Sequence, residues 1–176
     1  MEIQKRAKES DSALSRVIAT YDWEYSSTRK PMVQDHLVKY WEVLIGKWHK
    51  PWNRELESEL TRKEKRDIKG LAWAEQPKTI NEVGSTFTIQ GFDLNYAGVI
   101  LGPSVKYRDG KIIFDPSASH NEKAVRNRTL SDGTKKKFGE TLIQHEVRVL
   151  MTRGVNGMYI YACDPELRAA LLAAAK

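Results

Sequence analysis

Apolar and polar positions change their spacing several times along this chain, and each change marks an element. EIQKRAKESDSAL (2–14) is polar and rich in helix formers, which predicts a first helix. RVIAT (16–20) is a short β-branched run of the kind a buried strand uses. The stretch 26–54 has no clear period and reads as irregular, although it holds Trp41, Trp48 and Trp52. ELESELTRKEKRDIK (55–69) predicts a charged helix with a thin apolar stripe and a favourable Glu59/Lys63 pair. STFTIQ (85–90) alternates like a strand, and AGVIL (97–101) is a continuous apolar run suited to a strand covered on both faces. Two short runs, 105–108 and 111–114, flank Asp109-Gly110 and predict a hairpin, because Asp-Gly accepts positive φ. Residues 115–137 read as a flexible basic loop. Apolar residues at 138, 142, 143, 147, 150 and 151 predict an amphipathic helix over 138–152. MYIYAC (158–163) reads as another buried strand, and Asp164-Pro165 as the cap and first position of a last helix.

Strands separated by helices, with one hairpin between them, predict an α/β layered domain with a mainly parallel sheet. At 176 residues the chain is expected to be a single domain, 1–176. One cysteine, Cys163, excludes an internal disulfide framework and a multi-cysteine zinc site. No apolar run reaches the ~18 residues a membrane span needs, and the N-terminus lacks a signal-peptide core. A soluble, cytoplasmic protein without a membrane partner is the expectation. Twenty-nine Lys and Arg against 23 Asp and Glu give a net charge of +6, which favours polyanions, nucleic acid first among them. An even spread of that charge would only keep a protein in solution. The crowding of Arg126, Arg128, Lys135, Lys136 and Lys137 in one stretch favours a nucleic-acid contact there.

Self-sufficient catalytic motifs are absent from the sequence: no G-x-x-x-x-G-K-[ST] phosphate loop, no G-x-G-x-x-G, no G-x-S-x-G. The four histidines are scattered without metal-ligand spacing, so no metal site is expected. Two segments carry chemistry. In Thr86-Phe87-Thr88-Ile89-Gln90-Gly91-Phe92-Asp93, glycine permits close approach and the glutamine amide both donates and accepts; the same Gln-Gly is also an ordinary turn. In Thr152-Arg153-Gly154, an arginine ends a helix just before a strand. It suits a bidentate phosphate contact, or simply complements a helix C-terminus.

Taken in order, VGSTFTIQGFDLNYAGVI (83–100), VLMTRGVNGMYIY (149–161) and CDPEL (163–167) resemble the C-terminal half of the Schlafen group III type DNA/RNA helicase domain. That domain is one of the superfamily 1 helicase-like P-loop NTPases. RVIATYDWEY (16–25) and PWN (51–53) match the same pattern, so the resemblance runs from about residue 14 to 172. It implies a RecA-like second lobe, a three-layer sandwich with a mainly parallel sheet and a hairpin insertion. In such helicases ATP lies between two lobes and nucleic acid crosses both. By this resemblance Arg153 is the arginine that reaches the γ-phosphate. Thr86, Thr88, Gln90, Gly91, Asp93, Thr152 and Gly154 line the nucleotide and lobe interface, and Asp22 and Trp23 sit on a cleft-facing segment. Asp93 stands where many members carry glutamate. The phosphate loop and the magnesium carboxylate belong to the family's N-terminal lobe, which is missing from this pattern. ATP and Mg²⁺ are therefore expected only when that lobe is supplied in cis or in trans, and the chain alone is not expected to hydrolyse ATP. The alternatives are a non-catalytic nucleic-acid-binding module, with Trp48 or Trp52 as stacking platforms, and a degenerate helicase fragment acting through protein–protein contact.

Overall fold

The computed structural model describes residues 2–9, 14–33, 36–37 and 39–175. The chain opens with helix α1 (Glu2–Lys8) and strand β1 (Ser15–Ala19), then two hairpins, β2 (Met32–Val33) with β3 (His36–Leu37) and β4 (Glu42–Ile45) with β5 (Trp48–Pro51). Helix α2 (Arg62–Asp67) and strands β6 (Val83–Gly84) and β7 (Leu94–Leu101) follow. A further hairpin joins β8 (Val105–Arg108) to β9 (Lys111–Phe114). Next come α3 (Glu122–Val125) and the small pair β10 (Arg128–Thr129) and β11 (Lys135–Lys136). Helix α4 (Gly139–Met151), strand β12 (Gly154–Ala162) and helix α5 (Pro165–Ala174) complete the order.

The central sheet runs β12-β7-β1-β6, and every pairing in it is parallel. Both faces are covered. Ile18, Val99 and Ala162 pack on one face with Ile143 and Leu150 of α4 and Leu167 of α5. Val17, Ala19 and Ile100 point the other way and pack with Ile3 of α1, Val43 of β4 and Trp52. The alternation is the period-2 reading of a strand, and burial of all five β1 residues follows from its central place. Helices on one face, and a helix with a hairpin on the other, make the three layers of an α/β sandwich. β12 is the outermost strand on its side and pairs, among the described residues, only with β7.

Several elements sit where the sequence pattern places them. Asp109 and Gly110 both have positive φ (50° and 77°), so the β8–β9 turn has the geometry Asp-Gly favours. Asp164 accepts the Leu167 N–H at 2.9 Å and caps α5, with Pro165 in the first turn. Arg108 grips the same carboxylate at 2.9 and 3.1 Å, ties the hairpin to α5, and holds the Asp164 pKa down at about 2.

Five segments differ from the sequence expectation. The run 158–163 is a strand as far as Ala162, but not a buried one: β12 is outermost, and Tyr159, Ile160 and Tyr161 are exposed. Residues 85–90 are not a strand. Thr88 Oγ1 accepts the Ser85 N–H at 2.8 Å, and the Thr88 and Ile89 amides donate to the Ser85 carbonyl, so local bonds replace a sheet ladder. The stretch 26–54 is not irregular: Gly46, at φ 59°, turns β4 into β5. The expected helix 55–69 breaks at Leu60, because Thr61 and Glu64 form a capping box that starts α2 afresh. Glu59 consequently pairs with Lys39 and Tyr40 rather than Lys63. The segment 115–137 carries α3 and the β10–β11 hairpin. Residues 10–13, expected in the first helix, lie outside the described residues.

Candidate functional site

A parallel sheet has one end where all strands start and another where all finish, and the predicted site residues divide between the two. At the starting end, Arg153 links α4 to β12, and its carbonyl accepts the Leu94 N–H at 2.8 Å, fixing it to the first residue of β7. Its Nε donates to the Val149 carbonyl at 3.0 Å and its Nη2 to Thr152 Oγ1 at 3.3 Å. Nη1 donates to the Phe92 carbonyl at 3.3 Å and pairs with Asp93 Oδ1 at 3.1 Å. The arginine side chain is 21% exposed and the Asp93 side chain 63%. Thr152 Oγ1 donates back to the Arg148 and Val149 carbonyls, closing the end of α4. Gln90 and Gly91 are exposed on the turn leading into this cluster, and Gly91 has φ 72°. The structure thus brings together Asp93, Thr152, Arg153 and Gly154, with Gln90 and Gly91 on the approach.

Thr86 and Thr88 do not join them. Both follow β6 and lie at the finishing end of the sheet, a correction to the expectation that they share one interface with Arg153. Thr88 is buried, and its hydroxyl is spent on Ser85. Thr86 Oγ1 donates to Glu146 Oε1 at 3.4 Å, and the same oxygen accepts the Tyr21 N–H at 2.9 Å. Beside it lies Asp22, whose Oδ2 accepts from Thr20 Oγ1 at 3.0 Å and the Ser104 N–H at 2.9 Å. Gly102 leaves the room this needs, since a Cβ there would meet Asp22 Oδ2 at 2.4 Å. Asp22 Oδ1 and Glu146 Oε2 are buried without a hydrogen-bond partner among the described residues. Burial first, then the charge of Asp22, push the Glu146 pKa up to about 7; burial raises Asp22 as well. Glu146 was legible in principle, because it falls between Ile143 and Leu150 on the buried stripe of α4, where a carboxylate is out of place.

Aromatic rings gather at the same end. Tyr21 meets Trp52 and Phe87 with centroids 5.4 Å away in each case, and Trp52 meets Trp23 at 6.2 Å. Trp52 is fully buried and Phe87 is 51% exposed, so Trp52 is core and not the stacking surface expected of it. The Tyr21 carbonyl also accepts the His120 N–H at 2.9 Å and the Ser119 hydroxyl at 3.3 Å. The chain leaves this anchor into α3 and the β10–β11 hairpin, where Arg126, Arg128, Lys135, Lys136 and Lys137 are all exposed. Cys163 is a half-buried free thiol whose pKa burial pushes up to about 11, which keeps it in the unreactive thiol form. Among the described residues, no three or more His, Cys, Asp or Glu side chains converge in a way that could hold a metal ion, and no helix is long and apolar enough to cross a membrane.

Residues 1–164 match the family model described as Schlafen group 3, DNA/RNA helicase domain. The chain belongs to that family. An uncharacterized protein of Saccharomyces cerevisiae is 36% identical over 168 residues, which is 92% of this chain and 32% of the yeast protein. The chain therefore spans about a third of the length of that relative. No solved structure matches it. Membership in this Schlafen group 3 family makes the parallel sheet, with its two unlike ends, a helicase-type domain.

Proposed function

We propose that this chain is the C-terminal motor lobe of an ATP-dependent DNA/RNA helicase or translocase, with nucleotide at the starting end of the sheet and nucleic acid at the finishing end. The observation that supports this best is the state of Arg153. Its guanidinium is anchored on Val149, Phe92 and Thr152, and its remaining partner among the described residues is the carboxylate of exposed Asp93. A phosphate can exchange with that carboxylate without the arginine having to be repositioned. ATP, when bound, supplies the phosphoryl group that is transferred. Arg153 would stabilise the charge on it, while Thr152 and the end of α4 keep the guanidinium in place. These residues fit one contact to a nucleotide and not a whole binding site. The phosphate loop and the magnesium carboxylate belong, in this reading, to a partner lobe in cis or in trans. A cytoplasmic setting, where Cys163 stays reduced, is part of the same proposal.

The test is steady-state ATP turnover, with and without single-stranded DNA and RNA, for this lobe joined to a phosphate-loop lobe. Arg153→Ala will lower turnover by about three orders of magnitude, the low end of what such an arginine contributes, and will leave ATP binding nearly unchanged. The lobe alone will show no turnover. Turnover that survives Arg153→Ala removes the assignment. The exposed basic hairpin supports a second reading, a binding module without catalysis, in which Arg153 is dispensable and the hairpin lysines are not.

A further inference from the structure

We propose that Phe87 is a stacking platform for one unpaired base of single-stranded nucleic acid. The inference rests on the reading that nucleic acid lies at the finishing end of the sheet, and it names the residue that would select a single strand there.

A lone exposed apolar side chain is ordinary. Phe87 differs in how it is held. Thr88 and Ile89, the next residues, are buried, so the turn is pinned to the core directly beside it. The Phe87 N–H donates to Ser85 Oγ at 3.2 Å, and that hydroxyl donates to Asn53 Oδ1 at 2.8 Å. Asn53 Nδ2 donates in turn to the Tyr21 hydroxyl at 3.2 Å. Tyr21 closes the circuit by meeting the Phe87 ring at 83°. Asn53 has φ 58°, an uncommon conformation for a residue other than glycine, kept here by bonds on both sides of its amide. Behind Tyr21 stands fully buried Trp52. A ring fixed this firmly loses little freedom when something stacks on it, so the contact goes into affinity.

What surrounds Phe87 indicates a base. Thr86 precedes it, and Tyr21, whose ring meets Phe87, holds the segment 119–120 by its carbonyl; from there the chain runs through α3 into the basic hairpin. Cations for phosphates and an exposed ring for bases are the two components of single-strand binding. A duplex keeps its bases stacked on one another, so its phosphates can reach the hairpin but its bases cannot reach Phe87. The hairpin supplies general affinity, and Phe87 supplies preference for an open strand.

The experiment is fluorescence anisotropy of the purified chain with a labelled oligothymidylate and with a duplex of equal length, across a salt series. Phe87→Ala will weaken single-strand binding roughly ten-fold, will leave duplex binding unchanged, and will not alter the dependence on salt. Phe87→Trp will restore affinity; Phe87→Leu, which keeps the apolar bulk without the ring, will not. A strand carrying 2-aminopurine will change its emission with the wild-type chain and not with Phe87→Ala. Replacing Lys135, Lys136 and Lys137 together by alanine will instead reduce the salt slope, by about 2 for a single strand. Single-strand binding that is equal in wild type, Phe87→Ala and Phe87→Leu overturns the stacking role and leaves the nucleic-acid reading standing. A wild-type chain that binds no strand at any salt overturns both.

Discussion

Replacing Glu146 by glutamine will make this domain more stable above neutral pH and will flatten its stability against pH. Glu146 is 7% exposed; one of its oxygens is held by Tyr21 and Thr86, while the other is buried without a partner among the described residues. Its pKa rises from an ordinary 4.5 to about 7, through burial and then through Asp22. The native state therefore keeps a proton that the unfolded chain releases above about 4.5. The stabilisation this gives is complete below that pH, and it is lost as pH rises through the interval up to about 7. At pH 8 the native state carries a buried charge beside a second buried carboxyl, at a cost on the order of 3 kcal/mol. Glutamine keeps an oxygen for the Tyr21 N–H and removes the charge. Thermal melts at pH 6 and pH 8 will show the wild type losing several degrees between them and Glu146→Gln losing clearly less, the remainder belonging to Asp22, which burial also raises. A variant that melts below the wild type at pH 8 would refute the account.

Gly154→Ala will be strongly destabilising. Between Gly154 and Gly157 the register of β12 on β7 shifts: Gly154 faces Leu94, and Gly157 already faces Tyr96. The strand is thus bulged where it leaves Arg153. A Cβ on Gly154 would lie 2.3 Å from the Gly157 carbonyl oxygen and 3.3 Å from the Ala97 nitrogen. Both are backbone atoms of the central sheet and cannot turn aside, so the loss should reach about 3 kcal/mol or more. Gly157→Ala would instead meet the Tyr96 ring at 3.1 Å, a side chain with room to adjust, and will cost much less. Urea denaturation of the two variants separates them. Equal midpoints would show that the bulge opens freely. The glycine beside Arg153 is thus required by the strand, whether or not a nucleotide ever approaches it.

The parts of the fold that were legible before the structure are those where one local signal dominates. Asp109-Gly110 names its turn, the apolar stripe from Leu142 to Met151 names its helix, and Asp164-Pro165 names its cap. Residues 85–90 misled because alternating Thr, Phe, Thr and Ile look like a half-buried strand. The hydroxyls of Ser85 and Thr88 can equally bond the backbone as a turn, and burial of Ile89 favours the turn. The meeting of Asp93 with Arg153 was not legible from spacing alone. It depends on β7 beginning beside the end of α4, which is a matter of strand order. The placing of Thr86 away from Arg153 has the same origin: the turn after β6 crosses from one end of the sheet to the other.

The position of β12 has a consequence for handling the protein. As the outer strand, paired among the described residues only with β7, it leaves one side of Gly154–Tyr161 without a neighbouring strand, in a stretch without a charged residue or a proline and with Val155 70% exposed. Charges and prolines are the usual guards against strand-to-strand association, and here the guards are missing. A domain expressed with this edge uncovered will tend toward aggregation as its concentration rises.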